Sequence, residues 1–280
     1  MDQHLTIFSC PKPFKGHIEI IQRNAIQSWS RLLPKPQIIL MGDEQGVQEI
    51  AREFGLEHAG SIRRNPYGTF LLSSIFEAAC QKAQGSFQCY VNSDIILTSK
   101  AADTFEKLSG LPKKFLGVSR RLEININGPL DFLTDWERRI ESACQENGRL
   151  GHDSAIDCFI FPMGMVRNFP DFALGRPMWD NWFIYNTQNT GIPVIDLTPV
   201  LPVIHQNHDH SHLKGNTWEG PEANENRQLA GGYSHAYTIA DSDYLLTSQG
   251  LRKNMTRHVS KAVRNLKIFC HRHIQHDAKW

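Results

Sequence analysis

A chain of 280 residues with a net charge of +1, 40% hydrophobic and 21% charged, can bury a sizeable core and carries no excess of base to attract nucleic acid. Its six cysteines (Cys10, Cys80, Cys89, Cys144, Cys158 and Cys270) are scattered without a Cys-x-x-Cys pair, which excludes a disulfide framework and predicts reduced thiols in a cytoplasmic protein. Met1-Asp2-Gln3-His4 does not begin a secretory signal, and no apolar run approaches the ~20 residues that span a bilayer.

Leu5–Cys10 reads as a short buried strand ended by Pro11-Lys12-Pro13. Ile18, Ile21, Ala25, Trp29 and Leu32 recur at helical spacing, and Pro34 and Pro36 close that helix. Gln37–Met41 is a second strand ending in Gly42-Asp43-Glu44, followed by a short helix marked by Val47, Ile50, Ala51 and Phe54. Leu56–Ala59 reads as a third strand, Thr69–Gln84 as a strong helix and Phe87–Val91 as another buried strand. Alternation of this kind predicts an α/β fold with a mostly parallel central sheet flanked by helices.

The second half is less regular. Helices are expected over Ala101–Leu108, Phe132–Cys144 and Pro177–Asn189, and strands over Phe115–Ser119 and Ala155–Phe161. Ile192–Ile204 reads as extended, and 205–235 as a polar loop. From Leu251 to Trp280 the chain carries eight Lys/Arg against one acid, with apolar residues at helical spacing. This predicts a C-terminal basic amphipathic helix beyond a main domain of residues 1–250. The helix would either dock on its own domain or touch an anionic membrane at the inner face of the plasma membrane.

The chemistry converges on strand ends. Asn92-Ser93-Asp94 follows the Phe87–Val91 strand, with two oxygen-bearing side chains one residue apart, expected on the same side of an extended segment. In an α/β sheet that edge binds ligands, and a hard divalent cation held by one or two side-chain oxygens keeps its other positions for phosphate. Phe8 and Ser9 at the end of the first strand, and Asp43 after the second, should share that edge. Arg63 and Arg64 precede a turn and a helix start, a place that suits a phosphate. No Gly-x-Gly-x-x-Gly or Walker loop is present, which argues against dehydrogenases and P-loop enzymes.

Asp153 and Asp157 flank the start of the Ala155–Phe161 strand, and either could position an acceptor hydroxyl. Asp180 lies between Trp179 and Trp182 at a helix start; capping explains a carboxylate there, and so does a half-dry pocket that accepts a proton. The run His205-Gln206-Asn207-His208-Asp209-His210-Ser211-His212 is dense in metal-capable groups. His205, directly after a strand pattern, is best placed to complete an oxygen-rich site begun by Asp94.

These pieces, in this order, resemble the nucleotide-sugar-dependent glycosyltransferases of GT-A fold, over roughly residues 4–235. The resemblance implies that Asp94 matches the last aspartate of an Asp-x-Asp metal motif, with Asn92 in place of the first. It implies that Asp180 stands near the base position, with Asn181 where a second acid is usual, and that His205 completes the metal shell. Phe8, Ser9, Asp43, Asn92 and Ser93 would hold the nucleoside diphosphate, with Arg63 or Arg64 on its phosphates. The implied cofactor is Mn²⁺ or Mg²⁺, the donor a nucleoside-diphosphate sugar, and the acceptor a glycan or lipid-linked hydroxyl in surface polysaccharide or glycolipid assembly. A sugar-nucleotide nucleotidyltransferase and a non-catalytic nucleotide- or glycan-binding module remain the alternatives.

Overall fold

The computed structural model describes residues 5–111, 114–208, 218–257 and 262. Its first half alternates β1 (Leu5–Ser9), α1 (Gly16–Trp29), β2 (Gln37–Met41), α2 (Val47–Glu53), β3 (Glu57–Ala59), α3 (Leu72–Lys82), β4 (Phe87–Val91), the two-residue β5 (Ile95–Ile96) and α4 (Ser99–Ser109). The second half runs β6 (Leu116–Ile124), α5 (Trp136–Asn147), β7 (Arg149–Leu150), β8 (Ile156–Pro162), α6 (Trp179–Asn189), β9 (Val194–Asp196), β10 (Val203–Gln206), α7 (Pro221–Leu229), β11 (Tyr244–Thr247) and β12 (Gly250–Lys253).

The main sheet has the order β12-β11-β9-β6-β8-β4-β1-β2-β3. Neighbours are parallel except where β8 runs against both β4 and β6, and in the β11–β12 hairpin. The expected α/β, mostly parallel sheet is therefore present. Residues alternate between its two faces, as the pleat requires. Ile7, Ile38, Leu40, Cys89 and Val91 pack with α1, α2 and α4 on one side. Phe8, Ile39, Met41 and Tyr90 pack with α3 and α6 on the other. Both faces are covered, which is why the strands read as unbroken apolar runs.

Three local expectations change. Residues 205–235 are not all loop, because α7 lies within them, with Pro221 in its first turn. The basic segment does not start as a helix: Gly250–Lys253 is a strand, and backbone pairing to β11 carries the main sheet past residue 250. Apart from residue 262, positions 258–280, where most of that helix was expected, lie outside the described residues. Asn92-Ser93-Asp94 is not extended either. The Ile95 amide donates to the Asn92 carbonyl at 3.1 Å, so the tripeptide is a turn between β4 and β5, with the Asn92 side chain on Asp157 and that of Asp94 on His208.

That turn is tied down from below. The fully buried Trp29 of α1 donates its indole N–H to the Ile95 carbonyl at 2.8 Å, and the Leu97 amide donates to Ser28 Oγ at 3.1 Å. Trp29→Phe keeps an aromatic ring against the core but removes the donor. We expect urea denaturation to show a loss of about 1–3 kcal/mol.

Candidate functional site

The β4–β5 turn leaves Asp94 at the sheet edge, 8% exposed. Register then decides its neighbours. β10 lies antiparallel to β5 with His205 opposite Ile95, so the imidazole arrives beside Asp94. His205 Nε2 is 3.8 Å and His208 Nε2 3.2 Å from the same Asp94 oxygen, Oδ2. The second oxygen, Oδ1, is buried with no hydrogen-bond partner among the described residues. Asp94, His205 and His208 each offer a ligand atom within 4.8 Å of the others. The Asn207 amide oxygen lies 3.3 Å from His205 Nδ1, placed to accept its N–H; in that tautomer the neutral ring keeps its lone pair on Nε2, the nitrogen on the Asp94 side. Burial alone would raise the Asp94 carboxyl. The His208 hydrogen bond and the charges of His205 and Lys12 outweigh it and hold the group well below the usual carboxylate range.

Lys12, in the loop after β1, stands 3.5 Å from His208 Nε2. Burial lowers its pKa, against the pull of Asp94 and Asp157. Sequence reading singled out neither Lys12 nor His208. In sequence Lys12 is one residue between two prolines after a strand, and His208 is an imidazole in a histidine-rich run with nothing local to distinguish it.

A second buried acid lies alongside. Val91 of β4 pairs with Cys158 of β8, which sets Asn92 opposite Asp157. The Asn92 amide donates to Asp157 Oδ1 at 2.6 Å, and Arg121 of β6 reaches Oδ2 at 3.3 Å. Burial, together with the charge of Asp94, raises the Asp157 carboxyl, and Arg121 opposes the rise. Arg121 was also missed; in sequence it is one of two arginines in a β-strand, and only pairing shows which acid it meets.

Asp180 sits in the first turn of α6, half-buried, after Met178 at φ 87°. Burial pushes its carboxyl up to about 7, with Asp157 adding to the rise and the Asn181 backbone N–H lowering it. The flanking tryptophans do not form a pocket wall around it. Trp179 packs edge-on to Tyr90 and against Phe159, while Trp182 packs on Phe169 and Phe172. Helical spacing turns Trp179 and Phe183 into the core and leaves Asp180 beside the acid cluster.

The remaining expected residues divide. Asp43 and Arg64 share the edge of β1 to β3, where both act on the buried Cys10 thiol. They are engaged with each other: Arg64 reaches Asp43 at 2.6 Å and Glu44 at 3.0 Å, and its guanidinium lies 3.7 Å over the Phe70 ring. Arg63 is exposed and faces Glu77 at 3.4 Å. Asp153 is exposed and paired with Arg120, apart from Asp157. Phe8 is wholly buried among Phe76, Tyr90 and Phe161, so its ring offers no surface to a nucleotide. The Ser93 hydroxyl is turned inward and donates to Gln22 at 2.8 Å. Ser9 keeps a buried hydroxyl with no hydrogen-bond partner among the described residues.

No protein-family model matches the chain, and no curated protein sequence matches it. Solved structures do. The S. aureus TarS 1-349 structure in complex with UDP-GlcNAc superposes with a TM-score of 0.54 at 11% identity over 81% of this chain. This chain spans 65% of that structure's length. Glucosyl-3-phosphoglycerate synthase from Mycobacterium tuberculosis, with Mn²⁺, UDP and glucosyl-3-phosphoglycerate, gives 0.49 at 12% identity over 82% of this chain and 81% of its own. A Pyrobaculum calidifontis mannosyltransferase with GDP-Man and Mn²⁺ gives 0.47 at 10% identity over 74% and 58%. With its helix-covered, mostly parallel sheet and the acid-bearing turn after β4, the chain has the GT-A fold of nucleotide-sugar glycosyltransferases.

Proposed function

We propose that the protein transfers a sugar from a nucleoside-diphosphate sugar to a hydroxyl acceptor. The observation that carries this reading is Asp94: a buried carboxylate at a strand end, one oxygen facing two imidazoles and the other without a hydrogen-bond partner among the described residues. A buried charge left half-satisfied is costly, and a divalent cation is the group that completes it. Asp94, His205 and His208 would hold Mn²⁺ or Mg²⁺. When bound, such an ion supplies positive charge for the departing diphosphate.

The chain's own residues do the rest. Asp180, a carboxyl whose pKa lies near neutrality, takes the proton of the acceptor hydroxyl as it attacks the anomeric carbon. It suits that role better than Asp157, which is engaged by Asn92 and Arg121, or Asp153, which is paired with Arg120 at the surface. Asn92 acts through Asp157 rather than as a second metal acid. Asp43 is exposed at the β2 edge, where it is positioned to meet a nucleoside once Arg64 yields it. The acceptor would be a glycan or lipid-linked hydroxyl, as the family resemblance implies. Among the described residues no helix is long and apolar enough to cross a membrane, and contact with one through 251–280 would be peripheral.

Asp94→Ala should remove the stabilisation that Mn²⁺ with UDP or GDP confers in a thermal-shift assay. It should also lower donor turnover by on the order of a hundredfold or more, with the fold intact by circular dichroism. Full turnover in that variant would end the metal assignment.

Asp180 must be ionised to accept a proton, so kcat/KM should rise with pH and level off above about 7. Asp180→Asn should abolish that rise and cost roughly 10²–10⁴ in rate. Stability moves the other way. A carboxyl raised from 3.8 to about 7 on folding binds its proton more tightly in the native state, so stability falls as pH climbs through that window. The melting temperature of Asp180→Asn should therefore gain on the parent between pH 4 and pH 8, and equal slopes would remove Asp180 from the argument.

A further inference from the structure

The two arginines expected on the donor phosphates are turned elsewhere, Arg63 to Glu77 and Arg64 to Asp43 and Glu44. Lys12 does stand at the Asp94 cluster. Its ammonium is 3.5 Å from His208 Nε2 and within the fields of Asp94 and Asp157. The loop that carries it is preformed. Pro11 and Pro13 flank it, and a proline both fixes its own φ and holds the residue before it in extended backbone. Gln22 of α1, 1% exposed, grips the lysine backbone twice. Its side-chain oxygen accepts from the Lys12 N–H at 2.7 Å, and its amide donates to the Lys12 carbonyl at 2.9 Å. The same Gln22 oxygen accepts from Ser93. One buried side chain therefore sets the position of the Lys12 loop relative to the Asn92-Ser93-Asp94 turn.

Asp94 and Asp157 face Lys12 and Arg121, while Asp180 adds a carboxyl beside Asp157 and Glu123 shares Arg121. A divalent cation on Asp94 would set two further positive charges against the Lys12 ammonium. A lysine beside a cation site opposes the cation, and such an arrangement is favourable only when an anion is shared by both. A diphosphate is that anion: its oxygens can face the cation and the ammonium together.

We propose that Lys12 is a donor-binding residue that contacts the diphosphate beside the cation held by Asp94, His205 and His208. This rests on the glycosyl-transfer reading and adds to it a residue and a chemical role. The contact makes a prediction with opposite signs for two ligands. Lys12→Met removes a positive charge from the cation site, so Mn²⁺ alone, followed by electron paramagnetic resonance, should bind as tightly as in the parent or more so. UDP or GDP in the presence of saturating Mn²⁺, followed by calorimetry, should bind at least about tenfold more weakly. Lys12→Arg, which keeps the charge, should recover most of the nucleotide affinity.

A parallel loss of Mn²⁺ and nucleotide binding in Lys12→Met would make Lys12 a structural residue and overturn the proposal. So would undiminished nucleotide binding, or failure of Lys12→Arg to recover it. Should Lys12→Met not fold, Lys12→Gln carries the same comparison. If the unaltered protein binds Mn²⁺ but neither nucleotide, the glycosyl-transfer reading itself fails, and the inference falls with it.

Discussion

The structure is organised around the burial of one carboxylate. Asp94 is nearly removed from solvent at the edge of the sheet, yet one of its oxygens has no hydrogen-bond partner among the described residues. Uncompensated, a buried charge would take up a proton or unfold its surroundings. Here two imidazoles and an ammonium keep it ionised. Much of the nearby polar interior serves to hold these groups in place. Gln206 donates to the Asp94 and Ile21 carbonyls, Asn24 donates to Gln206, and Gln22 joins the Lys12 loop to Ser93. Buried amides of this kind are tolerable only when fully bonded, and together they hold the Asp94 cluster in place.

Sheet topology explains why the acids collect there. Strand β8 runs against its neighbours between β4 and β6, which sets its first residues beside the last residues of β4. Asp157 thus meets Asn92, and Arg121 completes the pair from β6. The asparagine in the place of a first aspartate is matched to this arrangement. A carboxylate at residue 92 would stand 2.6 Å from another buried acid, whereas an amide donates to it. β10 is the other decisive strand. Pairing with both β5 and β6, it carries His205 to Asp94.

On the opposite side of the sheet, an aromatic stack centred on Phe76, Phe169 and Phe183 fixes α6 against β8. Trp179 belongs to that packing. Asp180, one residue further along the helix, is carried to the acid cluster by a core that it does not enter. Its raised pKa follows from that half-buried position and from the charge of Asp157.

Much of this was legible in the chain. The apolar runs of β1, β2 and β4, and the helical spacing of α1 and α3, are consequences of burial on both faces of a sheet, which forces composition and period together. The alternation also pointed to one sheet edge, and Asn92, Asp94, Asp157, Asp180 and His205, singled out in sequence, do lie near one another there. Other features depend on which strand pairs with which, and no local pattern carries that. Pairing made Asn92 a partner of Asp157, drew Arg64 onto Asp43, buried Phe8 and Ser93, and brought His208, Arg121 and Lys12 to the cluster. The sequence by itself determined the alternating strands and helices of the first half, but not α7, β12 or the turn at Asn92-Ser93-Asp94. Tertiary structure alone decided which charges meet there, because register and the direction of β8 set those distances.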